Sequence, residues 1–231
     1  MDEQASSVSG VRTGDRMYRT GREVRNAIRA GQWAGPTAGQ APGYSQANLV
    51  VLPRSEAFDF LRFCIRNPKP CPVLDVTDPG SPHPSDSWGA DADLRLDLPR
   101  YRVYRKGELV GEFTDLLAWW HDDLVSFLLG CSFTFERELL AAGIPVRHVE
   151  CGRNVPMYRT TRQCQPAGQF CGPLVVSMRP IPESLVDRAV EITSHYPLVH
   201  GAPVHVGDPK ALGIERLERP DFGDPVPICD G

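Results

Sequence analysis

Leu124-Val125-Ser126-Phe127-Leu128-Leu129-Gly130-Cys131-Ser132-Phe133-Thr134-Phe135-Glu136 is the stretch on which the reading of this chain turns. The apolar run that begins at Leu124 stops at Gly130, and a second pattern, Phe135, Leu139 and Leu140, restarts at once. At helical spacing the first run closes a helix over 114–129 and the second opens one over 132–142. The turn between them then carries a thiol and a hydroxyl at a helix start, where free backbone N–H groups can meet an anion. The competing reading makes Cys131 a small buried hydrophobe in a tight turn.

Outward from this turn the signals alternate. Val24, Ala27 and Ile28 give a helix that Gly31 can stop. Residues 48–52 read as a short buried strand and 55–66 as a helix with Ala57, Phe58, Leu61, Cys64 and Ile65 on one face. Asn67-Pro68 ends that helix, and 72–76 is another short strand. The stretch 78–99 is rich in turn formers. Residues 101–113 alternate around Lys106-Gly107, which predicts a hairpin. Strands are expected over 146–150, 174–178 and 204–206, and a helix over 183–193. Residues 1–15, rich in Ser, Gly and charge, are expected to be a flexible tail.

The chain has 231 residues, enough for a sizeable core. Its 41% hydrophobic content, with 21 Gly and 22 Pro, describes a folded protein with many fixed turns. A net charge of -4 favours neither nucleic acid nor an anionic membrane as a partner. The Cys count of 7 is odd, and there is neither a C-x-x-C pair nor a secretory h-region. A reduced, cytoplasmic protein is expected. No phosphate loop, dinucleotide fingerprint or Gly-x-Ser-x-Gly occurs, so no nucleotide cofactor is expected.

Three constellations carry chemistry. His200, His205 and Asp208 lie within nine positions, punctuated by Gly201, Pro203 and Gly207. They suit a divalent metal as cofactor, or are acid and base groups, or sit in a loop whose histidines cap carbonyls. His148 and Glu150 share one face if 146–150 is a strand, which would set an acid beside a base. Arg159 and Arg179, in a chain with several arginines nearby, could grip a substrate carboxylate in a bidentate fork. Asn154 and Tyr158 would add orienting hydrogen bonds, and Ser132 would join Cys131 in facing an oxyanion. Cys164 and Cys171 are too loosely spaced for a zinc knuckle and are read as structural.

Several motifs resemble one family. They include Pro36-Thr37-Ala38-Gly39, Gln46-Ala47-Asn48-Leu49, Arg66-Asn67-Pro68-Lys69-Pro70-Cys71-Pro72, Gly130-Cys131-Ser132-Phe133, Asn154-Val155-Pro156-Met157-Tyr158-Arg159, Val175-Val176-Ser177-Met178-Arg179-Pro180 and His200-Gly201-Ala202-Pro203-Val204-His205. Together, from about residue 20 onward, they resemble the family named "putative hydro-lyase". It includes the YcsI-like bacterial proteins and is related to part of mitochondrial D-glutamate cyclase. The resemblance implies an α/β protein of two lobes: a three-layer α/β/α lobe from 16–77 and 130–231, and a smaller α+β lobe from 78–129. It implies a hydro-lyase acting on a small carboxylate or amino acid, with closure of D-glutamate to 5-oxo-D-proline as the specific form. The alternatives are a carboxylate-binding protein without catalysis and a metal-dependent hydrolase. A homo-oligomer is one expectation. The family's chains run on past the equivalent of Gly231, and many carry His where this chain has Cys171.

Overall fold

A computed structural model describes residues 17–228. The segment 1–15, expected as a tail, lies outside the described residues.

Helix α1 (Gly21–Arg29) starts at a reciprocal cap: the Thr20 hydroxyl accepts from Glu23 N at 3.2 Å, and the Glu23 carboxylate accepts from Thr20 N at 3.1 Å. Gly31, at φ 66°, lets the chain leave the helix. Val24, Ala27 and Ile28 are buried as their spacing predicts, beside Tyr18 and Trp33. Strand β1 (Ala47–Pro53) leads into α2 (Arg54–Arg66), and β2 (Val73–Val76) follows the Asn67 turn. Phe60 and Cys64, one turn apart, are the buried residues of α2. Phe58 and Ile65, expected on that face, are 69% and 68% exposed. The apolar residues of α2 span more than one face, and only the Phe60–Cys64 side meets the sheet.

After the short helix α3 (Asp86–Gly89), β3 (Tyr101–Arg105) and β4 (Glu108–Phe113) form the expected hairpin. Lys106 and Gly107 turn it with φ of 52° and 81°, the positive pair that suits a tight twisted hairpin. The run from Leu124 corrects the helix expected over 114–129: it is strand β5 (Leu124–Gly130). It is the central strand of an antiparallel sheet ordered β1-β5-β2, with Ala47 opposite Gly130 and Pro53 opposite Leu124. A strand covered on both faces reads as an unbroken apolar run, which periodicity alone cannot tell from a helix. Within 114–120 the Asp115 carboxylate accepts from Leu117 N at 3.0 Å, a local bond that competes with helix formation.

Beyond Gly130 a 3-10 turn (Ser132–Phe135) runs into α4 (Glu136–Ala141). Residues 146–150, expected as a strand, hold the one-turn helix α5 (Arg147–Glu150). The five residues do not alternate apolar with polar; Val146 and Val149 stand three apart, the spacing of a helical turn. Strands β6 (Met157–Gln163) and β7 (Pro173–Ser177) pair antiparallel, and α6 (Val186–Ser194) follows. Residues 204–206, expected as a strand, form none; Pro203 lacks the N–H that a ladder needs. The described residues are therefore mixed α and β. Phe60, Cys64, Val125 and Phe127 form one core group between α2 and the sheet. Phe135, Leu139, Ile144, Val146, Ala189 and Val199 form another under α4 and α6. No helix among the described residues is long and apolar enough to cross a membrane.

Candidate functional site

The site begins where β5 ends. A Cβ on Gly130 would stand 2.0 Å from Leu198 O, so only glycine lets the turn Pro197–Val199 press against the strand end. That contact brings His200 to Gly130. His200 has φ 82°, a left-handed conformation costly for its side chain. Lys69 holds it there: its ammonium donates to His200 O at 2.9 Å and to Ala202 O at 2.5 Å. In return the His200 imidazole bonds Lys69 O through Nδ1 at 2.9 Å. A carbonyl can only accept, so Lys69 O favours a proton on Nδ1, and the Gly130 backbone faces the ring as well. Burial lowers the His200 pKa, with Arg179 and Lys69 adding to the fall against the opposing Lys69 and Gly130 carbonyls.

Cys131 precedes the 3-10 turn, and its N–H donates to Gln46 O at 3.0 Å. Burial pushes its thiol pKa up, only partly offset by the Phe133 backbone and Arg179. Near neutral pH it is therefore a thiol rather than a thiolate. Next to it, Arg179 Nη2 donates to Ser132 Oγ at 2.9 Å and to Glu136 Oε1 at 2.5 Å. Its Nη1 reaches Ser177 Oγ at 3.2 Å. The guanidinium also lies over the Phe135 ring, 5.3 Å from its centre.

Behind Arg179, Glu136 and His148 are 2% and 1% exposed. His148 Nε2 lies 2.9 Å from Glu136 Oε1, at ion-pair distance but without hydrogen-bond alignment. Burial works to raise the Glu136 pKa, but His148 and Arg179 overcome it and hold the carboxyl below its usual value. Phe133 stacks on the His148 ring at 5.8 Å. Three buried polar atoms of this group, Glu136 Oε2, His148 Nε2 and Arg179 Nε, have no hydrogen-bond partner among the described residues. Cys131, Ser132, Arg179, His200 and Lys69 line one broad cleft, and Asn154 and His205 reach it farther along.

The stretch 125–231 matches the family model described as D-glutamate cyclase. A "Putative hydro-lyase" of Rubrobacter xylanophilus is 64% identical over 90% of this chain and 80% of its own length. Proteins of the same printed name from Geobacillus kaustophilus and Bacillus licheniformis are 61% and 60% identical, over 91% and 90% of this chain and 80% and 79% of theirs. The chain belongs to the "putative hydro-lyase" family. Within this hydro-lyase family chain, the D-glutamate cyclase match contains Cys131, Ser132, Glu136, His148, Arg179 and His200, while Lys69 precedes it.

Other expected site residues lie elsewhere. Glu150 is not beside His148 on a strand; it pairs with Arg147 at 2.9 Å on the surface. The Tyr158 hydroxyl, on a side chain only 2% exposed, donates to Leu217 O at 2.6 Å and belongs to the core. Arg159 has a 60% exposed side chain, 4.0 Å from the Asp221 carboxylate, and stacks over Phe222 at 5.2 Å. Asn154 accepts from Val155 N at 2.9 Å through its own side chain.

The expected metal triad is not assembled. His200 Nδ1 faces Lys69 O, His205 Nε2 lies 2.8 Å from Asp208 O, and the Asp208 carboxylate caps Lys210 N at 3.0 Å. Among the described residues no three His, Cys, Asp or Glu side chains converge as a metal site needs. Glu136 and Lys69 were missed from sequence. Glu136 had a signal: a carboxylate inside the apolar pattern Phe135, Leu139, Leu140 must find a cation once buried. Lys69, between two prolines, gave no hint that its partners lie 131 and 133 positions away.

Proposed function

We propose that this protein is a carbon–oxygen lyase acting on a small carboxylate or amino acid, with closure of D-glutamate to 5-oxo-D-proline as the specific reaction. The observation that carries this reading is the fixed guanidinium of Arg179 on the cleft wall beside Ser132 and Cys131, within the stretch matched to D-glutamate cyclase. In that reaction the substrate amine forms a C–N bond to its own γ-carboxyl carbon. One C–O bond breaks, and the oxygen departs as water with two protons. Arg179 Nη1, held among the described residues by Ser177, is the donor left for the α-carboxylate. The His200 imidazole, kept neutral by burial, accepts the amine proton. The Cys131 thiol, kept protonated, donates toward the departing oxygen. The proposal includes the architecture that the family resemblance implies, a three-layer α/β/α lobe with a smaller α+β lobe.

A second reading, a carboxylate-binding protein without catalysis, is favoured by one observation: His148, expected with Glu150 as the alternative proton-transfer group, is sealed behind Glu136 and off the cleft. Proton NMR of the protein with D-glutamate separates the two. Appearance of 5-oxoproline signals supports the lyase. Saturable binding of D-glutamate with no product supports the binder, and neither result removes both.

A further inference from the structure

Three cysteines meet beneath the sheet, away from the Arg179 wall. Cys64, at the buried end of α2, is 1% exposed. Cys71 is partly exposed and packs against the same core group. Its N–H donates to Asn67 O at 3.0 Å, which curls the chain back over the end of α2. The turn at Asn67, whose own N–H donates to Cys64 O at 3.0 Å, sets the Cys71 thiol against the Cys64 thiol, close enough for each to shift the other's ionisation. Cys164, also partly exposed, is held nearby: Asn67 bonds Gln165 twice, through Nδ2 to Gln165 O and through Oδ1 from Gln165 N, both at 2.8 Å.

We propose that Cys64 and Cys71 form a reversible dithiol–disulfide site, with Cys71 as the thiol that reacts first with a peroxide and Cys64 as the thiol that resolves it. Sulfurs set together in one core group across a single turn need only a small approach to reach covalent distance. The two positions also differ in the sense the chemistry requires. Cys64 beside it lowers the Cys71 pKa against the opposing effect of burial, so Cys71 is the more readily ionised of the two. The same contact, then burial, raises that of Cys64, which stays a thiol. Exposure agrees, since a peroxide can reach Cys71 but not the sealed Cys64.

The steps balance. The Cys71 thiolate attacks one peroxide oxygen, an S–O bond forms, the O–O bond breaks, and the departing hydroxide takes a proton to become water. Cys71 is then a sulfenic acid and no longer carries the charge that holds Cys64 protonated. The Cys64 sulfur attacks the sulfenic sulfur, the S–S bond forms and the S–O bond breaks. The Cys64 proton leaves with the hydroxyl as the second water. One peroxide is reduced and two thiols are oxidised; an external thiol reverses the change. The loop so closed carries Lys69, which clamps His200 and Ala202. The inference does not depend on the proposed lyase reaction.

The test treats the folded, reduced chain with one equivalent of hydrogen peroxide at low protein concentration, blocks remaining thiols, and maps peptides by mass spectrometry. The expected result is a Cys64–Cys71 cross-linked peptide with the loss of two hydrogens, removed by dithiothreitol. In Cys64→Ser, Cys71 should stop at a sulfenic acid that dimedone traps. In Cys71→Ser, Cys64 should stay unmodified. Circular dichroism of both variants reports whether they keep the fold, and the wild-type map stands without them. A Cys71–Cys164 bond, or oxidation confined to the exposed Cys151 and Cys171, overturns the proposal.

Discussion

Arg179 Nη2 and Glu136 Oε1 are 2.5 Å apart across a wall in which the Glu136 side chain is only 2% exposed. One carboxylate thus serves two partners, the Arg179 guanidinium in front and the His148 imidazole behind. A buried pair of this kind is weak evidence for net stability, but removing one member strands the other without compensation.

Glu136→Gln should therefore destabilise the protein by about 3 kcal/mol, at the low end for breaking a buried ion pair. Glu150→Gln, which removes an exposed partner of Arg147, should stay within about 0.5 kcal/mol. Urea unfolding of both variants checks the contrast. Equal, small losses would mean that the Glu136 carboxylate is not a committed ion-pair partner.

His200 and Glu136 both make stability fall with acid, in different windows. Burial depresses the His200 pKa below its ordinary 6.5, so the unfolded chain binds the proton first. Stability from keeping His200 neutral is full above about pH 6.5 and is lost as pH falls through the lowered folded value. The Glu136 contribution is full above its ordinary 4.5 and fades only as pH drops through its depressed folded value. Unfolding midpoints of wild type should decline between pH 7.5 and 5.5, and those of His200→Asn should decline less. Parallel curves would contradict the assignment.

Gly130→Ala should cost about 1–3 kcal/mol, the usual range for overpacking, because its Cβ meets the backbone oxygen of Leu198 rather than a side chain that can swing away. Thermal melting measures the loss. A shift of the His200 ring resonance in the same variant should show that the strand end positions that loop. An unchanged His200 signal would mean that the two are not coupled.

The turn chemistry was legible in the sequence and the burial was not. Lys106-Gly107, Gly31 and Asn67-Pro68 each announced a backbone event that follows from one or two residues. β5 did not: Ser126 is fully buried and the flanking residues are apolar on both faces, so no alternation survives to mark a strand. Cys131, Ser132 and Arg179 could be named as reactive types. That they share a wall depends on β5 ending at Gly130 and on β7 delivering Arg179, contacts 43 and 47 positions apart in the chain. Arg159 is the converse case. Guanidinium chemistry made it a candidate, but its place on β6 leaves the side chain 60% exposed beside Asp221 and Phe222.

The most direct test of the account is D-glutamate turnover, followed as 5-oxo-D-proline, in wild type, Arg179→Lys and Arg159→Lys side by side. A lysine keeps the charge but cannot supply the guanidinium's divergent donors to Ser132, Glu136 and a substrate together. The wild type should form product. Arg179→Lys should lose at least about tenfold in kcat/KM, the equivalent of a charge-assisted hydrogen bond of roughly 1.5–3 kcal/mol. Arg159→Lys should match wild type. Turnover that survives Arg179→Lys unchanged, or that Arg159→Lys abolishes, would contradict the assignment of the Arg179 wall as the carboxylate site.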